Sequence, residues 1–230
     1  MAQTQAPETG ELTVAVQDYA KAIYTLEARS GSASTNELAA LLDVRPGSVS
    51  GMLRKLSALG LVEHERYHGV RLTERGRRVA LEVIRHHRLL ELFLVESLGM
   101  AWDEVHAEAE VLEHALSEEL EELIAAKLGD PTVDPHGDPI PSRELQVAET
   151  AAPALAELQP GECGRLERIS DSDPEMLRFL GERGIVPGAT LELVDRQPFD
   201  GPLFVRVGGH VHVLGVTLAR AMRVRPQERP

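Results

Sequence analysis

Apolar residues recur every three to four positions through most of the first half of the chain, and alternating runs take over later. Val16, Ala20, Ile23 and Tyr24 share one helical face, which predicts a first helix over residues 13–29. Ser34-Thr35-Asn36-Glu37 has the form of a capping box and opens a second helix through Leu38, Leu41 and Leu42. After the break Asp43-Val44-Arg45, Pro46 suits the first turn of a third helix, where its missing N–H costs nothing. Val49, Leu53, Leu56 and Leu59 stripe that helix and Gly60 ends it. Leu61 to Arg66 and Val70 to Leu72, turning near His68-Gly69, then predict a two-stranded wing. Two short helices with a tight turn and a hairpin form a winged helix-turn-helix, with the third helix as reader.

Downstream, a long helix is predicted from Glu74 to Ser97, with Val79, Val83, Leu90 and Leu94 on its apolar side and Gly99 as its stop. Asp103 is expected to cap another helix, containing His106, Glu110, Glu113 and His114. Ser117 begins a further helix through Leu120, Leu123, Ile124 and Leu128, closed by Gly129-Asp130-Pro131. Its stripe fits either a core or a dimer interface. Residues 129–157 are rich in Pro, Asp and Ala and read as a linker. Strand-like runs follow at 165–169, 190–194 and 203–207, interrupted by a helix from Pro174 to Arg183, with turns at Pro187-Gly188 and Gly208-Gly209. That pattern fits a small barrel.

The net charge of −13 argues against a nucleic-acid partner until its distribution is read. Residues 12–88 carry 12 Lys and Arg against 8 Asp and Glu, residues 89–160 carry 2 against 17, and residues 161–230 carry 10 against 10. A mildly basic first third can meet phosphates, while the acidic middle third can hold cations. The solvent face of the third helix offers Arg45, Pro46, Ser48, Ser50, Arg54 and Lys55, and the wing adds Arg66. Hydroxyl and guanidinium groups there can bond phosphates and base edges. One cysteine, Cys163, excludes an internal disulfide framework and a cysteine-based zinc finger, and fits a reducing cytosol. No apolar run is long enough for a membrane span, and MAQTQAPETG reads as a frayed tail without a signal peptide.

In the acidic third, His87 and Glu91 stand four residues apart and share a helical face. His106, Glu110, Glu113 and His114, spaced by four, three and one, project toward one broad stripe. Carboxylates and imidazoles so arranged make a chelate for a divalent cation. A competing pattern, His64-Glu65-Arg66-Tyr67-His68, spells the zinc-protease motif, but that chemistry needs a helix. On a strand its two histidines would lie about 13 Å apart, too far to share an ion. His210 and His212 share a strand face and read as surface or core residues rather than ligands. A di-metal carboxylate enzyme usually needs paired Glu-x-x-His motifs on facing helices, whereas this chain has one, Glu65 to His68, in the wing. No nucleophile triad or phosphate-binding glycine loop is evident, so no catalysis is expected.

The stretches DYAKAIYTLE, LTERGRRVA, RHHRLLELFL, HAEAEVLEHALS and DPHGDPIP resemble the diphtheria-toxin-repressor family, from about Val16 to Pro226. The resemblance implies a mainly α fold with small β parts. Residues 1–75 would form the winged helix and 76–142 a helical metal-binding and dimerisation domain. Residues 143–157 would be linker, and 158–230 a FeoA or Src-homology-3-like barrel. It implies a primary metal site at Asp18, Glu110, Glu113 and His114. Iron-type members have methionine and cysteine at the first two positions, and manganese-type members have carboxylates, as here. The harder donors suit Mn²⁺, with Fe²⁺ as the alternative. Lys21 replaces a glutamate of the manganese members with a paired-metal centre and argues against that geometry. His87, Glu91 and His106 match the ancillary site of iron-type proteins, for which Asp173 and Glu175 are the barrel candidates.

The expectation is therefore a cytoplasmic, homodimeric, Mn²⁺-dependent repressor on a palindromic operator in double-stranded DNA, with about two ions per subunit. It would have no membrane partner and no small-molecule substrate. Its rivals are an Fe²⁺-dependent regulator of the same family and a metal-independent winged-helix regulator.

Overall fold

The computed structural model describes residues 12–65, 69–148, 152–170 and 173–227. The N-terminal tail, Arg66 and His68 lie outside the described residues. The chain divides into two compact units, Met1–His86 with Arg143–Leu145, and His87–Ser142 with Gln146–Pro230. Its character is mainly α with small β parts, as the pattern implies.

In the first unit, α1 (Val14–Ser30) buries Val16, Tyr19, Ala20, Ile23 and Leu26, and Gly31 ends it in the left-handed conformation. The Ser34–Glu37 capping box is present in both directions at the start of α2 (Thr35–Leu41). Pro46 opens α3 (Pro46–Ala58), which buries Val49, Leu53 and Leu56. The wing is the antiparallel pair β1 (Val62–Glu65) and β2 (Gly69–Leu72). It is fastened to the α1–α2 connection by a bridge between Ala33 and Val70. Ile23, Leu38, Leu56 and Leu61 are fully buried at the centre of this unit. Each such side chain contributes about 1.5–3 kcal/mol of burial.

The long helix α4 (Glu74–Leu98) supplies residues to both units. In the second unit it is followed by α5 (Val105–Leu112) and α6 (Glu118–Lys127), which share a core of Leu89, Leu90, Leu92, Ala109, Ile124, Ala125 and Ile140. Two sequence expectations change here. The cap of α5 is Glu104, whose side chain makes no capping bond, and the carboxylate of Asp103, the expected cap, is engaged instead by Arg178 at 2.9 Å. Glu113 is the C-cap of α5 and His114 lies just beyond it, so the helix does not contain all four predicted donors.

The strand-rich part of the unit is one antiparallel sheet of order β6-β5-β4-β3-β7. Its strands are β3 (Cys163–Ile169), β4 (Thr190–Arg196), β5 (Leu203–Val207), β6 (His210–Leu214) and β7 (Met222–Gln227). Register shifts between Leu166 and Arg168 and between Leu193 and Asp195 are bulges that bend β3 and β4. The sheet so bent closes over Leu166, Ile169, Leu193, Val205, Leu214 and Val224. Helix α7 (Pro174–Gly181) falls within the predicted interval, while α8 (Val216–Ala221) and β7 carried no clear sequence signal.

The proline-rich segment after α6 departs most from its reading as a linker. Asp134, His136, Asp138 and Ile140 are buried. Val133 bridges Pro139, and the Asp134 N–H donates to the Asp138 carbonyl at 3.0 Å. This strap is part of the core.

Candidate metal centre

The periodicity of α4 places His87 and Glu91 one turn apart and facing the same way. Both are buried, and His87 Nε2 lies 3.0 Å from Glu91 Oε1. From α5, His106 Nδ1 approaches the same carboxylate oxygen at 3.1 Å and His87 Nε2 at 3.1 Å. Glu110 Oε1 lies 3.8 Å from both His87 and His106. Glu113, buried at the end of α5, contacts His87 Nδ1, and its other oxygen lies 3.3 Å from His114 Nε2. The four donors foreseen on α5 and the His87–Glu91 pair therefore form one continuous polar network. Donor atoms of His87, His106 and Glu110 all lie within 4.8 Å of one another, close enough to enclose an ion.

A second group was missed by sequence reasoning: Glu91, Asp134 and His136, all buried, with donor atoms again within 4.8 Å. The strap supplies two of its members. Asp134 is fixed because its Oδ1 accepts the N–H groups of His136 at 2.8 Å and Asp138 at 2.9 Å. His136 Nε2 donates to the Trp102 carbonyl at 2.8 Å, which sets the tautomer and turns Nδ1 toward Glu91 Oε2 at 3.7 Å. Glu91 Oε2, Asp134 Oδ2 and His136 Nδ1 are buried without a hydrogen-bond partner among the described residues. Three converging polar atoms shut away from water are costly to leave unmatched, and a cation among them would satisfy all three. The donor set fits a divalent ion. The visible signal was Asp134-Pro135-His136-Gly137-Asp138, hidden by its own proline and glycine content.

Electrostatics follow the geometry. Burial pushes the Glu91 carboxyl up, but the adjacent His106, His136 and His87 rings outweigh it and hold the group below the usual carboxylate range. Burial lowers the His136 ring, yet Glu91 and Asp134 drive it up to about 9. Asp134 rises to about 8 through burial and the charges of Asp138 and Glu91, against the opposing pull of Arg88.

Asp173 and Glu175 are exposed at the start of α7, where Asp173 accepts the N–H of Glu175 at 3.0 Å and of Met176 at 3.2 Å. Neither belongs to a cluster of candidate donors among the described residues. His210 and His212 lie on β6 and join none of these clusters. Asp18 is half-buried on α1 of the first unit.

The first unit presents a different surface. Arg45, Pro46, Ser48, Ser50, Arg54 and Lys55 are all exposed on or beside α3. Ser50 Oγ donates to the Pro46 carbonyl at 3.1 Å. Gly47 and Gly51 on the same helix face open space, so a nucleic-acid backbone could approach it closely. His64 sits in β1 opposite Val70, which denies His64-Glu65 the helical geometry of a zinc protease.

Three family models match in series. Residues 11–70 match the iron dependent repressor, N-terminal DNA binding domain. Residues 73–142 match the iron dependent repressor, metal binding and dimerisation domain, and residues 154–226 match the FeoA domain. The iron-dependent repressor IdeR of Mycobacterium tuberculosis is 33% identical over 227 residues, covering 93% of this chain and 98% of the relative. A solved manganese-dependent transcriptional repressor in complex with manganese is 44% identical with a TM-score of 0.85, covering 92% of this chain and 100% of the other. ScaR with bound Cd²⁺ is 31% identical with a TM-score of 0.80, covering 91% and 98%. The chain belongs to the diphtheria-toxin-repressor family of metal-dependent transcriptional repressors, in its form with a C-terminal FeoA domain.

Proposed function

We propose that the protein is a Mn²⁺-dependent, homodimeric repressor of metal-uptake genes that works in the cytoplasm and binds a palindromic operator. The observation that carries the metal assignment is the donor set. Every candidate ligand is a carboxylate or an imidazole, and the sole cysteine stands in β3 outside the donor clusters. Hard oxygen and borderline nitrogen donors suit Mn²⁺. Fe²⁺ is the second reading, supported by the likeness to an iron-dependent repressor along 93% of the chain.

Glu110, Glu113 and His114, with Asp18 as the ligand implied by the family resemblance, would hold the primary ion. A second would be held by Glu91, Asp134 and His136, with His87 and His106 beside them in place of Asp173 and Glu175. When bound, the ion supplies positive charge that the buried carboxylates lack. Asp18 belongs to the DNA-binding unit and the other primary donors to the metal-binding unit. A shared ion would thus restrain how the two move, and in a dimer would fix the separation of the two α3 helices to match the operator half-sites. By linkage, operator DNA must tighten metal binding by the same factor.

The homodimer is supported by apolar side chains that one chain leaves in water: Val111, Leu120 and Leu123 are 70%, 48% and 63% exposed on α5 and α6. No described helix is long and apolar enough to cross a membrane. The test is Asp18→Ala, which should abolish metal-stimulated operator binding while leaving the dimer intact. Unchanged stimulation would overturn the shared primary site.

A further inference from the structure

Asp138 lies between two guanidinium groups. Its Oδ1 is 3.1 Å from Arg88 on α4 and 2.8 Å from Arg168 on β3. The same Arg88 reaches Asp134 Oδ2 at 3.7 Å through its Nε and donates to the Pro139 carbonyl. Asp134 and Asp138 are also joined through the backbone bonds of the strap, so neither carboxylate moves without the other. On its far side the strap is seated on the barrel. The Ile169 N–H donates to the His136 carbonyl at 2.9 Å. Gly137, at φ +86°, presses so close to β3 that a Cβ there would lie 1.8 Å from the Glu167 carbonyl oxygen. Two donors of the second cluster and the anchor of β3 therefore belong to one five-residue turn.

We propose that this turn is a latch, in which Asp138, gripped by Arg88 and Arg168, transmits occupancy of the Glu91–Asp134–His136 site to β3 and thus to the seating of the C-terminal barrel. Without a cation, Arg88 is divided between Asp134 and Asp138. A divalent ion beside Asp134 draws that carboxylate to itself as a ligand. Arg88 is then free to pair fully with Asp138, and Asp138 holds Arg168 more firmly. Arg88, Asp138 and Arg168 are positioning residues in this account and touch no ion. The barrel would sense the metal without donating a ligand, unlike the role expected for Asp173 and Glu175.

The inference rests on the second-site reading above, and the experiment separates the two. Hydrogen exchange of the full-length protein, followed by mass spectrometry with and without Mn²⁺, reads the protection of β3. Native mass spectrometry counts the ions. In the wild type, Mn²⁺ should slow exchange at Ile169 and its β3 neighbours by about tenfold or more, as expected when local opening is suppressed. Arg168→Gln, at a partly exposed position, and Asp138→Asn should keep the full ion count yet lose most of that response. A response in both variants equal to the wild type would overturn the latch. Two ions bound to the wild type with no change in β3 would also overturn it, leaving the site intact. An ion count unaltered by His136→Ala would overturn the site and the latch together.

Discussion

His136 aims Nδ1 at the Glu91 carboxylate from 3.7 Å while its opposite ring nitrogen is committed to the Trp102 carbonyl. Acceptor faces acceptor unless a proton or a metal ion lies between. The metal-free protein uses a proton, since the ring is driven up to about 9.

Metal binding at this site must therefore expel protons. With His136 at about 9 and Asp134 at about 8, between about one and two protons should leave per ion bound at pH 7. Calorimetric titration with Mn²⁺ in buffers of different ionisation enthalpy measures that number in the wild type and in His136→Ala. Equal release from both would contradict the assignment. The sign for stability follows from the same shift. The folded ring sits above its ordinary value, so its contribution to the metal-free protein is complete below about pH 6.5 and is lost as pH rises through about 9. Bound metal should remove that alkaline loss.

Gly137→Ala should be among the more damaging single-methyl changes in the chain. Alanine at φ +86° costs about 1 kcal/mol or more, and the carbonyl of Glu167 occupies the place of its Cβ. The strap must shift, carrying Asp134 and His136 with it. Thermal melts should show a lower Tm for the metal-free protein and a smaller increase on adding Mn²⁺. A Tm and a metal response equal to the wild type would count against a tightly seated strap.

Ser34→Ala should weaken the winged helix specifically. The Ser34 hydroxyl accepts the Glu37 N–H at 3.2 Å, and the Glu37 carboxylate accepts the Ser34 N–H at 3.0 Å. Those bonds lower the Glu37 pKa. Its stabilising share is present above the ordinary glutamate value and disappears as pH falls through the lower folded one. The variant should melt several degrees lower at neutral pH and show a shallower loss of stability on acidification. Parallel pH profiles would contradict this role of the box.

Leu123→Glu should break the dimer. Placing a charge among apolar side chains buried at an interface should raise the dimer dissociation constant by about a hundredfold or more. Sedimentation equilibrium reads it, and a dimer of unchanged strength would move the interface elsewhere.

Local chemistry was readable wherever one short segment sets the outcome. Ser34 with Glu37, Pro46 at the start of α3 and Gly60 after it announced the winged helix by short-range rules. The His87–Glu91 and His106–Glu110 spacings likewise follow from a 3.6-residue period. The strap did not announce itself, because its order comes from Arg88, Trp102 and Ile169, which are remote in sequence and leave no periodic trace. Asp103 misled for a related reason. A short-range rule made it a cap, but Arg178, 75 positions away, competes for the carboxylate. The end of α5 was overshot because neither glycine nor proline marks the turn at Glu113 and His114.

If metal occupancy controls DNA binding, operator affinity must rise with metal concentration. The purified, chelator-treated protein would be titrated on labelled operator DNA, at fixed ionic strength because salt alone shifts such affinities. Mn²⁺, Fe²⁺, Co²⁺ and Zn²⁺ would be added in separate series. Binding should be weak without metal, rise about a hundredfold or more with Mn²⁺, in the upper part of the range usual for allosteric coupling, and be reversed by chelator. Operator binding of the same strength with chelator present and with every metal would contradict control by the metal.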